Sequence, residues 1–410
     1  MQKKIAIAVG CSFVSYLLPL GASAINFNRM YVFGDSLSDP GNIYNATSFV
    51  QPFESVLDIN IPVLPPSPPY YQGRYSNAPN WIDNLAEDLG FAIKSSTELS
   101  TFFSDLSVPS PITVTTNLQP SVSPFFQGST TEQSVNFAFG GAQTGFTGSS
   151  EFGNLIPGVR RQVEWFADDL ALVNQSADSD ALYIVWAGAN DYWSVENPNP
   201  QESVTNLETS ITSLYNLGAR NFLVPNLPDL GRTVRPLNDG PEESQRLTNL
   251  AEEHNLFLGQ TLSELNQSLT DINLISLDTY NIFNEAITNP GPFGLTNVTQ
   301  ACLEITTLTA CSNPDEYLFW DEIHPTGFAH ERFAEFAMAA LTPESESTTK
   351  AVAAPMSESE FELALIPKLK SGTTLALSSK SESVPEPTSS AALGLLGIWW
   401  LLSDKSRRSH

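Results

Sequence analysis

Residues 34–37 read Gly-Asp-Ser-Leu, and residues 321–324 read Asp-Glu-Ile-His. A serine hydroxyl becomes an effective nucleophile when a neighbouring imidazole takes its proton. The imidazole in turn needs a carboxylate to fix its tautomer and orientation. Asp321 and His324 are three residues apart, so one short loop can carry both the base and its orienting acid. Ser36, far upstream, is the matching nucleophile. The chain has 4 histidines, which narrows the search for the base. His254 sits at a core-facing position of an amphipathic segment, His330 follows in a helical stretch, and His410 lies in the C-terminal tail. His324 is the one placed for chemistry.

Acyl transfer also needs donors for the oxyanion of its tetrahedral intermediate, and losing one raises the barrier by roughly 3–4 kcal/mol. Two segments offer them. Gly140-Gly141 follows the apolar run Val135–Phe139. Gly188-Ala189-Asn190-Asp191 follows the run Leu182–Trp186 and supplies the Asn190 carboxamide. Gly34 lets the chain turn tightly before Ser36. Ser38 stands where a Gly-x-Ser-x-Gly elbow has its second glycine, so this is not that motif. Asp35 and Asp191 read as turn-ordering side chains, and Asp39-Pro40-Gly41-Asn42 as a turn. No phosphate-binding loop or cluster of metal ligands stands out, and the chemistry requires no cofactor and no metal.

These residues need a scaffold. Met30–Phe33, Val135–Phe139, Leu182–Trp186, Asn221–Val224 and Ile272–Leu277 read as buried strands. Between them, helical spacing runs over Asn80–Leu89, Gln162–Val173, Ser203–Leu217 and Arg246–Leu265, with Gly218 as a helix stop. Strands alternating with helices predict an α/β fold with a parallel sheet covered on both faces. Open parallel sheets bind their ligands at the carboxyl ends of the strands, where Ser36 falls. Residues 51–79, rich in proline and tyrosine, read as an ordered loop over the site, a lid. Residues 94–133, rich in Ser, Thr and Pro, yield no reading.

Four blocks occur in order: Gly34-Asp35-Ser36-Leu37, Asn136-Phe137-Ala138-Phe139-Gly140-Gly141-Ala142, Gly188-Ala189-Asn190-Asp191 and Phe319-Trp320-Asp321-Glu322-Ile323-His324-Pro325-Thr326. Together they resemble the SGNH hydrolases, also called GDSL esterases and lipases, particularly the larger secreted members such as plant-type lipases and bacterial lecithinase-like enzymes. The resemblance covers residues 29–342. It implies a three-layer α/β/α sandwich with about five parallel strands. It also implies a catalytic set of Ser36, Asp321 and His324, and an oxyanion hole built from the Ser36 N–H, the Gly141 N–H and Asn190. Gly140 is adjacent, so that assignment stays open by one residue.

The ends of the chain read differently from its middle. Residues 1–24 have a basic start, an apolar run and Ala22-Ser23-Ala24, a secretory signal cut after Ala24. Beyond the signal only Cys302 and Cys311 remain, and an exported protein can join them in a disulfide. A net charge of −26 argues against nucleic acid and against adhesion to anionic membranes. Residues 25–342 form the expected hydrolase domain, and residues 343–383 a flexible spacer. Residues 384–410 hold Val384-Pro385-Glu386-Pro387, a short apolar run and a basic end. They resemble the PEP-CTERM signal of Gram-negative bacteria, which implies transient membrane contact, cleavage by an exosortase, and release to or display on the cell exterior.

The expected activity is hydrolysis of carboxylic esters, of small molecules or lipids, through an acyl-enzyme. A deacetylase of extracellular polysaccharide and a non-catalytic surface protein on a hydrolase scaffold are the alternatives.

Overall fold

Met30-Tyr31-Val32-Phe33-Gly34 forms the strand β1 (Met30–Gly34), and every residue of it is buried. A strand with no polar position must be covered on both faces, and its two-residue period sorts the side chains. Tyr31 and Phe33 enter one core with Val135, Phe137, Phe166, Tyr183 and Phe222. Met30 and Val32 enter a second core with Trp81, Ile82, Leu182, Ile184 and Ala337.

The computed structural model describes residues 27–51, 62–100, 126–149, 156–193 and 197–342. The expected signal, spacer and sorting tail lie outside the described residues, as do 52–61 of the proline-rich loop and 101–125 of the unread stretch. Among the described residues, no helix is long and apolar enough to cross a membrane.

The sheet comprises β1, β2 (Ile93–Ser95), β3 (Ser134–Asn136), β4 (Leu182–Trp186), β5 (Asn221–Pro225) and β6 (Asn273–Leu277), in the order β2-β3-β1-β4-β5-β6. Every pairing is parallel. This is six strands where the sequence suggested about five. The extra one, β2, is an edge strand of three residues with Lys94 exposed. A short charged edge is how a sheet avoids pairing with other chains, and it leaves no apolar run to read. The expected strand Val135–Phe139 starts one residue earlier and its ladder ends at Asn136. Even so, the Phe137 and Phe139 N–H groups still donate to Val32 and Gly34 at 2.8 and 3.2 Å.

The helices are α1 (Asn42–Val50), α2 (Trp81–Asp88), α3 (Ser96–Leu99), α4 (Val159–Leu172), α5 (Pro200–Leu217), α6 (Val234–Asp239), α7 (Pro241–Ser268), α8 (Thr279–Thr288) and α9 (Gly327–Leu341). Helices α4, α5 and α7 cover the sheet face of Tyr31 and Phe33, while α2 and α9 cover the other. The result is a three-layer α/β/α sandwich. Beyond it, β7 (Asn297–Ala301) leads into a hairpin of β8 (Leu303–Glu304) and β9 (Thr309–Ala310), and β7 pairs with β10 (Tyr317–Phe319). A disulfide joins Cys302 to Cys311 across the hairpin.

From β1 the chain builds β2 and β3 on one side, then crosses to β4, β5 and β6 on the other. The switch point therefore lies at the carboxyl end of β1, where such folds open a crevice.

Candidate active site

Ser36 leaves the end of β1, and its neighbours lock that turn. Gly34 exchanges two hydrogen bonds with the buried Gln162 side chain, each 2.9 Å. The glycine is required by crowding rather than by a left-handed turn: a Cβ there would lie 2.6 Å from the Trp186 carbonyl oxygen on β4. Asp35 accepts from the Leu37 N–H at 3.1 Å, and burial pushes its carboxyl up to about 7. Asp39 accepts from the N–H groups of Gly41, Asn42, Ile43 and Gly140. The expected turn at 39–42 is thus the start of α1, tied to the Gly140-Gly141 turn. Burial raises Asp39 to about 6 against those four donors.

The second half comes from the turn between β10 and α9. Trp320 N–H donates to the His324 carbonyl at 2.7 Å, which closes the turn. Thr326 caps α9 through Ala329 and donates its hydroxyl to Tyr317 at 2.7 Å. Asp321 Oδ1 accepts from the N–H groups of Ile323 and His324, both at 2.8 Å. Its Oδ2 lies 2.8 Å from His324 Nδ1. The far side of that imidazole, Nε2, lies 2.9 Å from Ser36 Oγ. The structure therefore brings Ser36, His324 and Asp321 into one row across a sequence separation of 288 residues. Burial opposes ionisation of Asp321, but the His324 imidazole and the donated hydrogen bonds overcome it and hold the carboxyl down at about 2.

The expected oxyanion donors follow three adjacent strands. Gly140 and Gly141 follow β3, and the structure separates their roles. The Gly140 N–H is taken by Asp39 at 2.7 Å, whereas neither Gly141 nor Ser36 donates its N–H to an acceptor among the described residues. Gly141 has φ +81°, and a Cβ at Gly140 would lie 2.3 Å from the Tyr75 ring. Asn190 follows β4 and donates one amide hydrogen to the Ala142 carbonyl at 3.0 Å, leaving the other. Asp191 orders this turn as expected, accepting from the Thr144 N–H and from the hydroxyls of Thr144 and Ser203.

Two tyrosines of the proline-rich loop, Tyr70 and Tyr75, read from sequence only as aromatic surface over the site, touch it directly. Tyr70 is buried, and its hydroxyl donates to Asp321 Oδ2 at 2.7 Å. Burial and the adjacent carboxylate push that hydroxyl's pKa up, so it remains a donor. The Tyr75 ring lies 4.7 Å from the His324 ring. The described part of the loop, 62–79, is ordered against the site as expected, and it underpins the turn that carries Asp321 and His324. Tyr70, Cys302, Leu303 and Trp320 share one small core, so the disulfide hairpin braces the same turn and Trp320 packs it.

The other described histidines are structural. His254 is fully buried with its Nδ1 2.6 Å from the Tyr192 hydroxyl, and burial drops its pKa to about 3. Burial, with His324 nearby, does the same to His330. Among the described residues, no group of three or more His, Cys, Asp or Glu side chains is gathered to hold a metal.

The arrangement has the parts for proton transfer from a serine to an imidazole, beside N–H groups that have no acceptor among the described residues. The sequence profile described as GDSL-like Lipase/Acylhydrolase matches residues 30–337. A GDSL esterase/lipase of Arabidopsis thaliana is 28% identical over 332 residues, covering 72% of this chain and 78% of its own. A phosphatidylcholine-sterol acyltransferase of Aeromonas hydrophila is 24% identical over 362 residues, covering 75% and 88%. Among solved structures, an acetyl xylan esterase aligns with 76% of this chain and 98% of its own, at 11% identity and a TM-score of 0.36. That superposition is too loose to carry an argument, and the fold rests on the strand order. The profile match spans most of the chain, which therefore belongs to the GDSL-like lipase/acylhydrolase family, hydrolases that act on ester bonds.

Proposed function

We propose that this chain is an exported serine ester hydrolase that works through an acyl-enzyme. One observation carries the reading: Ser36 Oγ, His324 and Asp321 form a continuous hydrogen-bonded row. In the first half-reaction, Ser36 Oγ attacks the ester carbonyl carbon and His324 Nε2 takes the hydroxyl proton. Negative charge develops on the carbonyl oxygen and is received by the N–H groups of Ser36 and Gly141 and by the Asn190 amide. As the C–O bond breaks, His324 returns the proton to the departing alcohol. In the second half, His324 takes a proton from water, the resulting hydroxide attacks the acyl carbon, and Ser36 is regenerated with release of the acid. Asp321, ionised, holds the Nδ1–H tautomer and stabilises the imidazolium.

The expected site of action is outside the cytoplasm. Supporting this are the signal-like residues 1–24, the paired Cys302 and Cys311, and the sorting-like tail 384–410. A signal peptidase and an exosortase-type enzyme are the processing partners this implies. Mass spectrometry of the mature protein should find an N-terminus at Ile25, and an uncut chain retained in the cytoplasm would refute export.

The enzymatic test is hydrolysis of a chromogenic ester, with labelling by a fluorophosphonate. Wild type should turn over, and its label should map to Ser36. Ser36→Ala should lose at least about 10⁴-fold in kcat, the scale on which a lost nucleophile acts. Equal hydrolysis by the two proteins would overturn the assignment.

A further inference from the structure

A cavity of about 260 Å³ opens at Ser36, Gly141, Asn190 and His324 and continues between α8 and α9. Two helix faces wall it. On α8, Ile282 and Ala286 stand one turn apart. On α9, Ala329, Phe333 and Phe336 repeat at i, i+4 and i+7, so they share a face. Phe293, from the segment before β7, adds a third wall, its ring centroid 5.9 Å from that of Phe336. Phe336 is 37% exposed and marks the solvent side. The polar groups away from the Ser36 end are few, and the Arg332 Nε–H is buried with no partner among the described residues. The Arg332 terminal nitrogens pair with Glu331 and Glu335, and burial keeps His330 uncharged at neutral pH.

We infer that this cavity holds the acyl chain, and that the substrates are esters of medium-chain or longer fatty acids rather than acetates. The inference rests on the hydrolase reading of Ser36 and deepens it. Three arguments support it. First, an acetyl group would touch only the mouth and leave the apolar walls bare. Second, a sugar ring would bury most of its hydroxyls against phenyl and alkyl surface with few partners, which is unfavourable. Third, the alcohol must leave between the two half-reactions, while the acyl chain stays tethered to Ser36. The walled space therefore suits the acyl side.

The test is kcat/KM for p-nitrophenyl esters from acetate to palmitate, beside acetate esters of alcohols of increasing length. Each buried methylene should raise kcat/KM by up to about fourfold until the cavity is full. The acyl series should therefore climb well beyond acetate to an optimum at medium-chain or longer acids, and the alcohol series should stay flat. Ala286→Trp, which fills the middle of the cavity, should move the optimum to shorter chains. Phe336→Ala, at the open side, should move it to longer ones.

Acetate processed as efficiently as octanoate would overturn the inference while leaving Ser36 a nucleophile. Dependence on alcohol length alone would also overturn it. If both variants kept the wild-type optimum, the chain would lie elsewhere. Cleavage of no ester at any length would instead remove the hydrolase reading. The wild-type series decides without the variants, so a misfolded variant does not shelter the idea.

Discussion

Two turns meet at the carboxyl edge of the sheet, and each carries a buried aspartate. In the Ser36 turn, Asp35 is 3% exposed; in the His324 turn, Asp321 is 5% exposed. Their burial is nearly the same and their electrostatics are opposite. Asp35 has one backbone donor, and burial lifts it to about 7. Asp321 has two backbone donors, the Tyr70 hydroxyl and the imidazole, and it sits at about 2 despite the burial. Asp39 lies between the two cases: four backbone donors hold it, yet it stays at about 6 with no imidazole beside it. Burial therefore disfavours charge in all three, and only the turn that supplies both donors and a basic partner holds its carboxyl below the ordinary value. A charged orienting group is what a serine–histidine pair needs.

Breaking that contrast at Asp321 should have the largest effect. Asp321→Asn keeps the shape of the turn but offers an amide where His324 Nδ1–H needs an acceptor, so the imidazole settles in the wrong tautomer. The expected loss is about 10⁴-fold in kcat with KM little changed. A loss below about tenfold would mean that His324 is oriented by something else.

Tyr70→Phe sharpens the comparison by removing one donor. A hydrogen bond to a charged group contributes roughly 1.5–3 kcal/mol, so part of what keeps Asp321 low would go. We expect about a tenfold drop in kcat and a rise of the Asp321 pKa from about 2 towards its ordinary value. The sign follows from the lost donor: carboxyl carbon chemical shifts should show Asp321 taking up its proton at a higher pH in the variant than in wild type. An Asp321 titration that is the same in both proteins would make Tyr70 a packing residue alone.

The two turns also differ in how far the sequence revealed them. Ser36, Asp321 and His324 were legible because few side-chain types do this chemistry, and the Asp-x-x-His spacing puts acid and base in one loop. The strands β1, β4 and β5 were legible because double-sided burial writes an unbroken apolar run. Tyr70 was not, because its bond to Asp321 spans 251 residues. A Pro-Pro-Tyr-Tyr segment announces order but not which side of the site it meets. The choice between Gly140 and Gly141 was also hidden. It depends on Asp39, 101 residues away, taking the first N–H. Strand β2 escaped because three residues with an exposed lysine carry no periodicity.

The smallest effect on activity, and the finest probe of the contrast, belongs to Asp35→Asn. The wild-type carboxyl is raised to about 7 from an unfolded value near 3.8. Between those values the folded chain holds a proton that the unfolded chain has released. Its contribution to stability is therefore complete below about pH 4 and is lost as pH rises through about 7, a change of at most about 4 kcal/mol. Asparagine cannot ionise, so the variant should lack this loss. Asp39 and Asp191, both raised to about 6 by burial, remain in the variant and keep the slope between about pH 4 and 6. Thermal melts across the pH range should then show the two proteins running parallel below about pH 4, separating between about pH 4 and 7, and parallel again above that, with the variant holding its Tm by several degrees. Parallel curves over the whole range would mean that Asp35 is ionised in the fold. The electrostatic difference between the two turns would then disappear, although the hydrogen-bonded row at Ser36 would stand.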